Sequence, residues 1–393
     1  MSNSATMPFP ARLKTHLKLD PVLLLIVGVL LGGGLVILTS ASITVSDNAA
    51  GQPFFYVQRQ LVAALIGLLA AFSCLLVPMR VWQTLSPLMV LAGIALLVVV
   101  LVPGLGYEVN GATRWVRIGI MNLQVSEPAR LCLLIYLAGY VVRQQKALRE
   151  RFVGFLRPML VLTVSCVLLL QQPDFGAAIV LLATALVMLF VGGARIRDFV
   201  LFFSLTLAAM TAVALTSAYR LKRLTGFLDP WADPYDSGFQ LTQSLIAVGR
   251  GEWFGVGLGD SVQKLFYLPE AHTDFVFAVY AEEFGLLGSL LLIGLFLALL
   301  WRVFQLALRA AAAERFFESY LSIGIGTWLG LQAFINIGVN MGILPTKGLT
   351  LPLISYGRSS LIVTMAAIGL LLRIHHELSV DAKPVNRKRR KKK

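Results

Sequence analysis

Residues 264–285 read KLFYLPEAHTDFVFAVYAEEFG, a polar, proline-marked approach that runs into an apolar helix carrying carboxylates: Asp274 at its entrance, Glu282 and Glu283 inside it. The apolar pattern continues to residue 301, long enough to cross a bilayer. Ionisable side chains in such a span are costly and face a bundle interior or a water-filled cavity. With Asp274 as the first helical residue, Glu282 falls near the same face, roughly 12 Å deeper at about 1.5 Å rise per residue. Two readings stand side by side. Either this face lines a polar cavity, or Thr273 or Asp274 caps the helix and Glu282 pairs with a buried cation.

The rest of the chain agrees with a membrane setting. Of 393 residues, 57% are hydrophobic and only 14% charged, too little polar surface to cover a soluble globule. Apolar runs fall at about 21–41, 57–77, 83–102, 127–142, 153–170, 175–192, 197–216, 275–301, 318–341 and 358–374. The expected fold is therefore an all-α polytopic membrane protein of ten transmembrane helices, with a large extracytoplasmic loop, 217–273, between the seventh and eighth. The runs at 127 and 175 are marginal in length, so hydropathy alone also allows eight or nine. Residues 1–20 form an N-tail, 21–378 the membrane domain and 379–393 a basic C-tail. The first run follows Arg12, Lys14 and Lys18 without a small-residue cleavage site and reads as a retained span.

Counting Lys and Arg on alternate sides gives the orientation. The side holding both termini collects 23 of the 34: three in the N-tail, Arg80, five from Arg143 to Arg157, Arg195 and Arg197, three from Arg302 to Arg315, and nine from Arg373 onward. Both termini are then cytoplasmic and the 217–273 loop faces outward. The tail Arg387–Lys393, RKRRKKK, follows a membrane helix directly, so it rests on anionic lipid or stays solvated and does not argue for nucleic acid. Cys74, Cys132 and Cys166 lie in expected spans without paired spacing and read as packing residues.

Three outward segments are too polar and glycine-rich to be plain connectors. The first, 104–130, holds Arg114, Trp115 and Arg117, then Ser126-Glu127-Pro128, a helix start in which Glu127 is either a first-turn acid or a cavity carboxylate. The second, 217–273, contains Arg223 and Lys264, a short amphipathic stretch at 239–248, and five glycines within GRGEWFGVGLGDS. Lacking a GK[ST] motif and a flanking strand, those glycines are a weak phosphate signal. Trp231, Trp253, Phe266 and Tyr267 are candidates for stacking on sugars or for interfacial anchoring. The third, 341–360, breaks helix with Pro345, Pro352 and three glycines around Lys347, a lone cation that points to an anion. Before it, Gln332, Asn336 and Asn340 recur at i, i+4 and i+8, a polar stripe for helix contacts or for a ligand. An outward cavity with carboxylates, cations and aromatic rings suits an amphiphile with an anionic head and sugar.

NGATRW at 110–115, Ser126-Glu127-Pro128, PEAHTDF at 269–275 with Glu282-Glu283, and LPTKGLTLPLISYG at 344–357 together carry a resemblance: the chain is similar, from about residue 20 to 375, to the SEDS family of peptidoglycan glycosyltransferases, and within it to the cell-division branch of Gram-negative type. The resemblance implies polymerisation of lipid II into β-1,4 glycan at the outer face of the inner membrane, at the division septum. Asp274 would be the catalytic general base, with inversion at the donor and undecaprenyl diphosphate leaving. Candidate substrate-binding residues are Arg114, Glu127, Arg223, Lys264, His272, Glu283, Asn336, Lys347 and Ser359. No cofactor is certain; a divalent cation, Mg or Mn, is the candidate. Implied partners are a class B penicillin-binding transpeptidase (FtsI-like) and the FtsQ, FtsL and FtsB proteins. The chain departs from the family's pattern at Arg358, where glycine is expected, and arginine enters positive φ less easily. Rival readings are a lipid II flippase and a non-catalytic scaffold for a transpeptidase.

Overall fold

The computed structural model describes residues 17–109, 111–119, 121–215, 226–236 and 238–381. Helices α1 (Pro21–Ala50), α2 (Phe55–Leu76) and α3 (Met79–Val99) lead into strands β1 (Gly106–Val109), β2 (Ala112–Ile118) and β3 (Met121–Gln124). Then come α4 (Ser126–Arg143), α5 (Gln145–Glu150), α6 (Phe152–Gln171), α7 (Phe175–Val191), α8 (Ile196–Leu215), α9 (Phe239–Arg250), α10 (Val276–Ala312), α11 (Phe316–Asn340) and α12 (Arg358–Asp381).

Among the described residues seven helices are long and apolar enough to cross a membrane: α1, α2, α3, α6, α10, α11 and α12. The other three expected runs are helical but weaker as spans. Helix α4 carries Glu127, Arg130 and Arg143, and α7 has only 17 residues. Helix α8 begins with Arg197 and Asp198. Small residues set the close crossings: a Cβ on Gly369 would run into the Ala71 carbonyl and one on Gly67 would sit 3.1 Å from Met365, while Gly139 lies against Ser86 and Gly93 against Leu133. Glycine there lets α2 close on α12 and α3 on α4, as helices without a hydrophobic drive between them require.

The all-α expectation needs one correction. Residues 106–124 form a three-stranded antiparallel sheet in the order β1-β2-β3, pairing Tyr107 with Trp115 and Trp115 with Gln124. Gly111 and Gly119 take positive φ, +73° and +58°, at the two turns. The Asn110-Gly111 pair is a hairpin signal and ATRWV is rich in strand formers, so the sheet was legible.

Helix α10 is also unlike the expected span. It starts after Phe275, runs eleven residues past 301, and breaks at Gly285, whose φ of 66° and ψ of −163° are not helical. At the break the carbonyls of Glu282 and Glu283 accept the amides of Val256 and Gly257 at 3.0 and 3.1 Å, and the amides of Leu286 and Leu287 donate to Glu252 and Trp253 at 2.8 and 3.1 Å. The outer loop is thus laced into the opened helix. A side chain at Gly285 would run into the Gly255 amide, and one at Gly255 into the Glu283 carbonyl. Of the loop glycines, Gly251 and Gly255 serve this close backbone approach.

At the other end of the helices, Arg302 binds Asp20 through two bonds of 2.7 and 3.0 Å, and Asp20 in turn caps α1. Arg315 there bridges Glu318 and Glu377.

Candidate active site

A cavity of about 1280 Å³ opens where the sheet, the α6–α7 corner, residues 266–275 and residues 346–360 meet the start of α2. Its walls are built by the polar stripe on α11. Gln332 donates to the Thr350 carbonyl at 3.0 Å. Asn336 donates to the carbonyls of Asp274 and Leu349 at 2.8 and 2.6 Å. Asn340 donates to the Asp274 carbonyl at 3.0 Å while its Oδ1 accepts the Ala278 amide at 3.0 Å, an amide in the first turn of α10 that also donates to the Phe275 carbonyl at 3.1 Å. One face of one helix therefore holds both the Asp274 turn and the broken 347–350 chain.

Asp274 is not the helix's first residue, and it does not cap α10; the cap position is Phe275, without a side-chain bond. Its carboxylate points instead at Gly348, where a Cβ would lie 2.9 Å from Oδ2. Glycine at 348 is what permits that approach, and it puts the acid beside Lys347. The Lys347 ammonium lies 4.2 Å from the Phe175 ring centroid, a cation–π contact within the cavity wall. Arg114 reaches the same corner from β2, its Nε donating to the Gln172 carbonyl at 3.0 Å and Nη2 to that of Pro173 at 2.5 Å. Ser359 accepts the Gln124 amide at 2.8 Å and so pins the sheet to the start of α12.

His272, Tyr56 and Tyr356 form a ring cluster on the cavity wall, with centroids 4.6 Å apart for Tyr56–His272, 5.0 Å for Tyr56–Tyr356 and 5.9 Å for His272–Tyr356. Burial holds the His272 imidazole below its ordinary protonation range, outweighing the Glu270 carboxylate that favours the charged form.

Asp274, Arg114, His272, Lys347 and Ser359 are thus brought together in one cavity. Glu127, Lys264, Glu283 and Asn336 are not among the residues lining it. Glu127 is buried against Arg130 at 3.3 Å. Glu283 accepts from Lys264 Nζ at 2.9 Å and from the Ser40 hydroxyl at 2.5 Å, and Glu282 accepts the Val262 and Gln263 amides at 3.1 and 3.3 Å and Ser261 Oγ at 2.5 Å. These two acids do not extend a polar cavity face down the helix: buried acids need partners, and the outer loop supplies them. Arg223 lies outside the described residues. Of the aromatic candidates, Phe266 lines the cavity, whereas Trp231, Trp253 and Tyr267 are exposed outside it. Arg358 lines the cavity as the regular first residue of α12, without positive φ, so it forms no strained hinge.

Asp174, also on the wall, was missed. It caps α7 by accepting the Ala177 amide at 3.2 Å and also takes Ser126 Oγ at 3.0 Å. An aspartate directly before an apolar run is a readable cap signal. Among the described residues no group of three or more His, Cys, Asp or Glu is arranged to hold a metal ion. The fixed positive charge lining the cavity comes from Arg114, Lys347 and Arg358.

Comparison with known proteins puts these features in a family context. Residues 21–380 match the FtsW/RodA/SpoVE family model, described as a cell cycle protein. The chain is 53% identical over 368 residues to a probable peptidoglycan glycosyltransferase FtsW of Thioalkalivibrio sulfidiphilus, covering 94% of this chain and 92% of that one. It is 54% identical over 348 residues to the protein of the same description from Nitrosococcus halophilus, covering 88% and 90%. Among solved structures it resembles a chain from work on the structural coordination of polymerization and crosslinking by a peptidoglycan synthase complex, with TM-score 0.75, 35% identity, and coverage of 92% and 99%. It also resembles the rod shape determining protein RodA of Thermus thermophilus, with TM-score 0.67, 33% identity, and coverage of 92% and 98%.

Proposed function

The chain belongs to the FtsW/RodA/SpoVE family of cell cycle proteins, and from that premise we propose that it is a peptidoglycan glycosyltransferase that polymerises lipid II during septal wall synthesis. The observation that carries the reading is Asp274 set against Gly348, beside Lys347, in a cavity that also holds Arg114 and Arg358. Asp274 takes the proton from the acceptor's sugar hydroxyl as that oxygen attacks the donor's anomeric carbon. The new β-1,4 C–O bond forms with inversion while the bond to undecaprenyl diphosphate breaks, and the diphosphate leaves with the electron pair. Lys347, Arg114 and Arg358 offset its growing charge. His272 and Ser359 contact the substrate from the walls; Glu127, Lys264, Glu283 and Asn336 act by holding the scaffold.

The same reading makes the protein a ten-span inner-membrane protein with both termini cytoplasmic and the cavity facing outward. Every residue lining the cavity belongs to the end of the bundle that carries the sheet and the 226–273 loop, which favours an enzyme over a transporter needing a path to the other side. A class B transpeptidase, with FtsQ, FtsL and FtsB as activators, is the proposed partner. Trp231, Tyr235, Trp253 and Phe254 give such partners exposed apolar surface on the outer loop.

The test is polymerisation of purified lipid II by the protein with its transpeptidase, wild type against Asp274→Asn. Polymer should vanish while the melting temperature holds, since no helix cap depends on the carboxylate. Substantial polymer from the variant would remove Asp274 from the general-base role.

A further inference from the structure

The glycosyl-transfer reading gives His272 a wall contact but leaves its ring partners Tyr56 and Tyr356, also on the cavity wall, without work. Sequence position does not predict this ring cluster: Tyr56 opens α2, His272 precedes α10 and Tyr356 ends the broken segment before α12. The fold gathers them so that each ring touches the other two, at 4.6, 5.0 and 5.9 Å, and all three line the cavity. The cluster is fixed by the main chain, since the Tyr356 amide donates to the His272 carbonyl at 2.9 Å. Gln60, one turn beyond Tyr56 on α2, braces it from behind by donating to the Ser355 carbonyl at 3.1 Å and accepting the Gly357 amide at 3.3 Å.

A rigid patch of ring surface on a polar cavity wall is built for a ligand with both apolar faces and hydroxyl edges. Aromatic side chains supply large contact area at low entropic cost, and Tyr and His add a polar tip. A pyranose has that character, with C–H faces and an equatorial rim of oxygens, whereas a diphosphate calls for the Lys347 and Arg114 corner instead. Position decides which sugar. His272 stands two residues before Asp274, and a general base must touch the hydroxyl it deprotonates.

We propose that Tyr56, His272 and Tyr356 form a saccharide platform on which the acceptor's sugar stacks, presenting its hydroxyl to Asp274. This rests on the glycosyltransferase reading above. In this arrangement Tyr56 and Tyr356 are positioning residues that set affinity and orientation, and Asp274 does the proton transfer. The donor's diphosphate occupies the cationic corner of Lys347 and Arg114.

The test uses the full chain with its transpeptidase in lipid nanodiscs and two readouts. The first is steady-state lipid II polymerisation. The second is saturation-transfer NMR of the water-soluble N-acetylglucosamine–N-acetylmuramic acid disaccharide, which reports sugar contact without turnover. Tyr56→Leu, which keeps bulk without a ring, should raise KM for lipid II by about tenfold, the scale of one lost ring contact, and abolish the disaccharide signal. Tyr56→Trp, which restores a ring face, should recover both, something a purely structural role would not predict. Asp274→Asn should lose turnover yet keep the signal. Polymerisation surviving in Asp274→Asn would sink the general base and leave the platform standing. An undiminished disaccharide signal and KM in both Tyr56→Leu and Tyr356→Leu would overturn the platform, and so would a Tyr56→Trp protein as impaired as Tyr56→Leu.

Discussion

The side-chain amide of Asn336 donates to the backbone carbonyl of Asp274 at 2.8 Å and to that of Leu349 at 2.6 Å, so a single buried amide fixes the distance between the acid and the Lys347 segment. Neither partner is a regular element; both are broken backbone that only side chains can hold. Asn336→Leu would leave the buried Leu349 carbonyl without its side-chain donor, at about 1–3 kcal/mol, and the Asp274 carbonyl with Asn340 alone. Its melting temperature should drop by several degrees, and polymerisation should fall further than the unfolded fraction explains. Activity that tracks the folded fraction alone would mean the Asp274 turn holds its shape without Asn336.

Lys264 and Glu283 form a buried pair with side chains 6% and 0% exposed. Removing one partner strands the other's charge, which costs about 3–5 kcal/mol, whereas removing both as a matched apolar pair is far milder. Lys264→Met should therefore destabilise strongly, and Lys264→Met with Glu283→Leu should recover much of the loss. A thermal double-mutant cycle checks this. If Lys264→Met folds normally and only weakens lipid II use, Lys264 belongs to the substrate after all.

How much of this was legible depended on whether a signal was local. The apolar runs, the amphipathic 239–250 helix and the broken 341–357 segment were readable, because period and proline or glycine placement are local properties. Asp274, Lys347 and Arg114 were readable as charged side chains, but not what each of them faces. What the sequence hid was partnership: Glu282 and Glu283 look like cavity acids until the loop that answers them is seen to fold back across 20 residues. Tyr56 was invisible for the same reason, since its neighbours His272 and Tyr356 are distant in sequence. The sheet is a different case: the Asn-Gly pair at 110–111 is a local hairpin signal set among long apolar runs of helical length.

His272 gives a pH dependence of defined sign. Burial holds its imidazole below the usual value of about 6.5, so the folded protein keeps it neutral where the unfolded chain would take up a proton. Its contribution is complete above the unfolded pKa and is lost as pH falls from about 6.5 toward the lower folded value. The melting temperature should decline between pH 7 and 5, and His272→Phe should flatten part of that slope. Superimposable pH profiles would show that His272 titrates alike in both states.

Arg358 adds a cation to the cavity from the first residue of α12, close to Tyr356. Because its backbone is ordinary, the charge and not the conformation is what distinguishes it from glycine. Arg358→Gln keeps the helix start and removes the charge, and should weaken lipid II use roughly tenfold, the scale of one charged hydrogen bond, with little change in melting. Arg358→Gly should show the same kinetic loss plus a helix cost of up to about 1 kcal/mol. Kinetics matching wild type in both variants would make the arginine a neutral change.

Lys347 and Arg114 are both assigned to the leaving diphosphate, yet the structure predicts that they fail differently. Two donors of Arg114 are already bonded to the Gln172 and Pro173 carbonyls, so this guanidinium also closes the α6–α7 corner. Arg114→Met should lower both the melting temperature and the turnover, and Arg114→Lys should rescue little, since an ammonium cannot span two carbonyls as a planar fork does. Lys347, half-buried on the cavity wall, rests its charge over the Phe175 ring, a contact worth about 0.5–2 kcal/mol. Lys347→Met should therefore melt within a few degrees of wild type while losing at least tenfold in kcat/KM for lipid II. Lys347→Arg, which keeps the charge, should retain most of the activity. Should Lys347→Met and Arg114→Met lose stability and turnover in the same proportion, the division between a cation that binds substrate and one that also braces the site would be wrong.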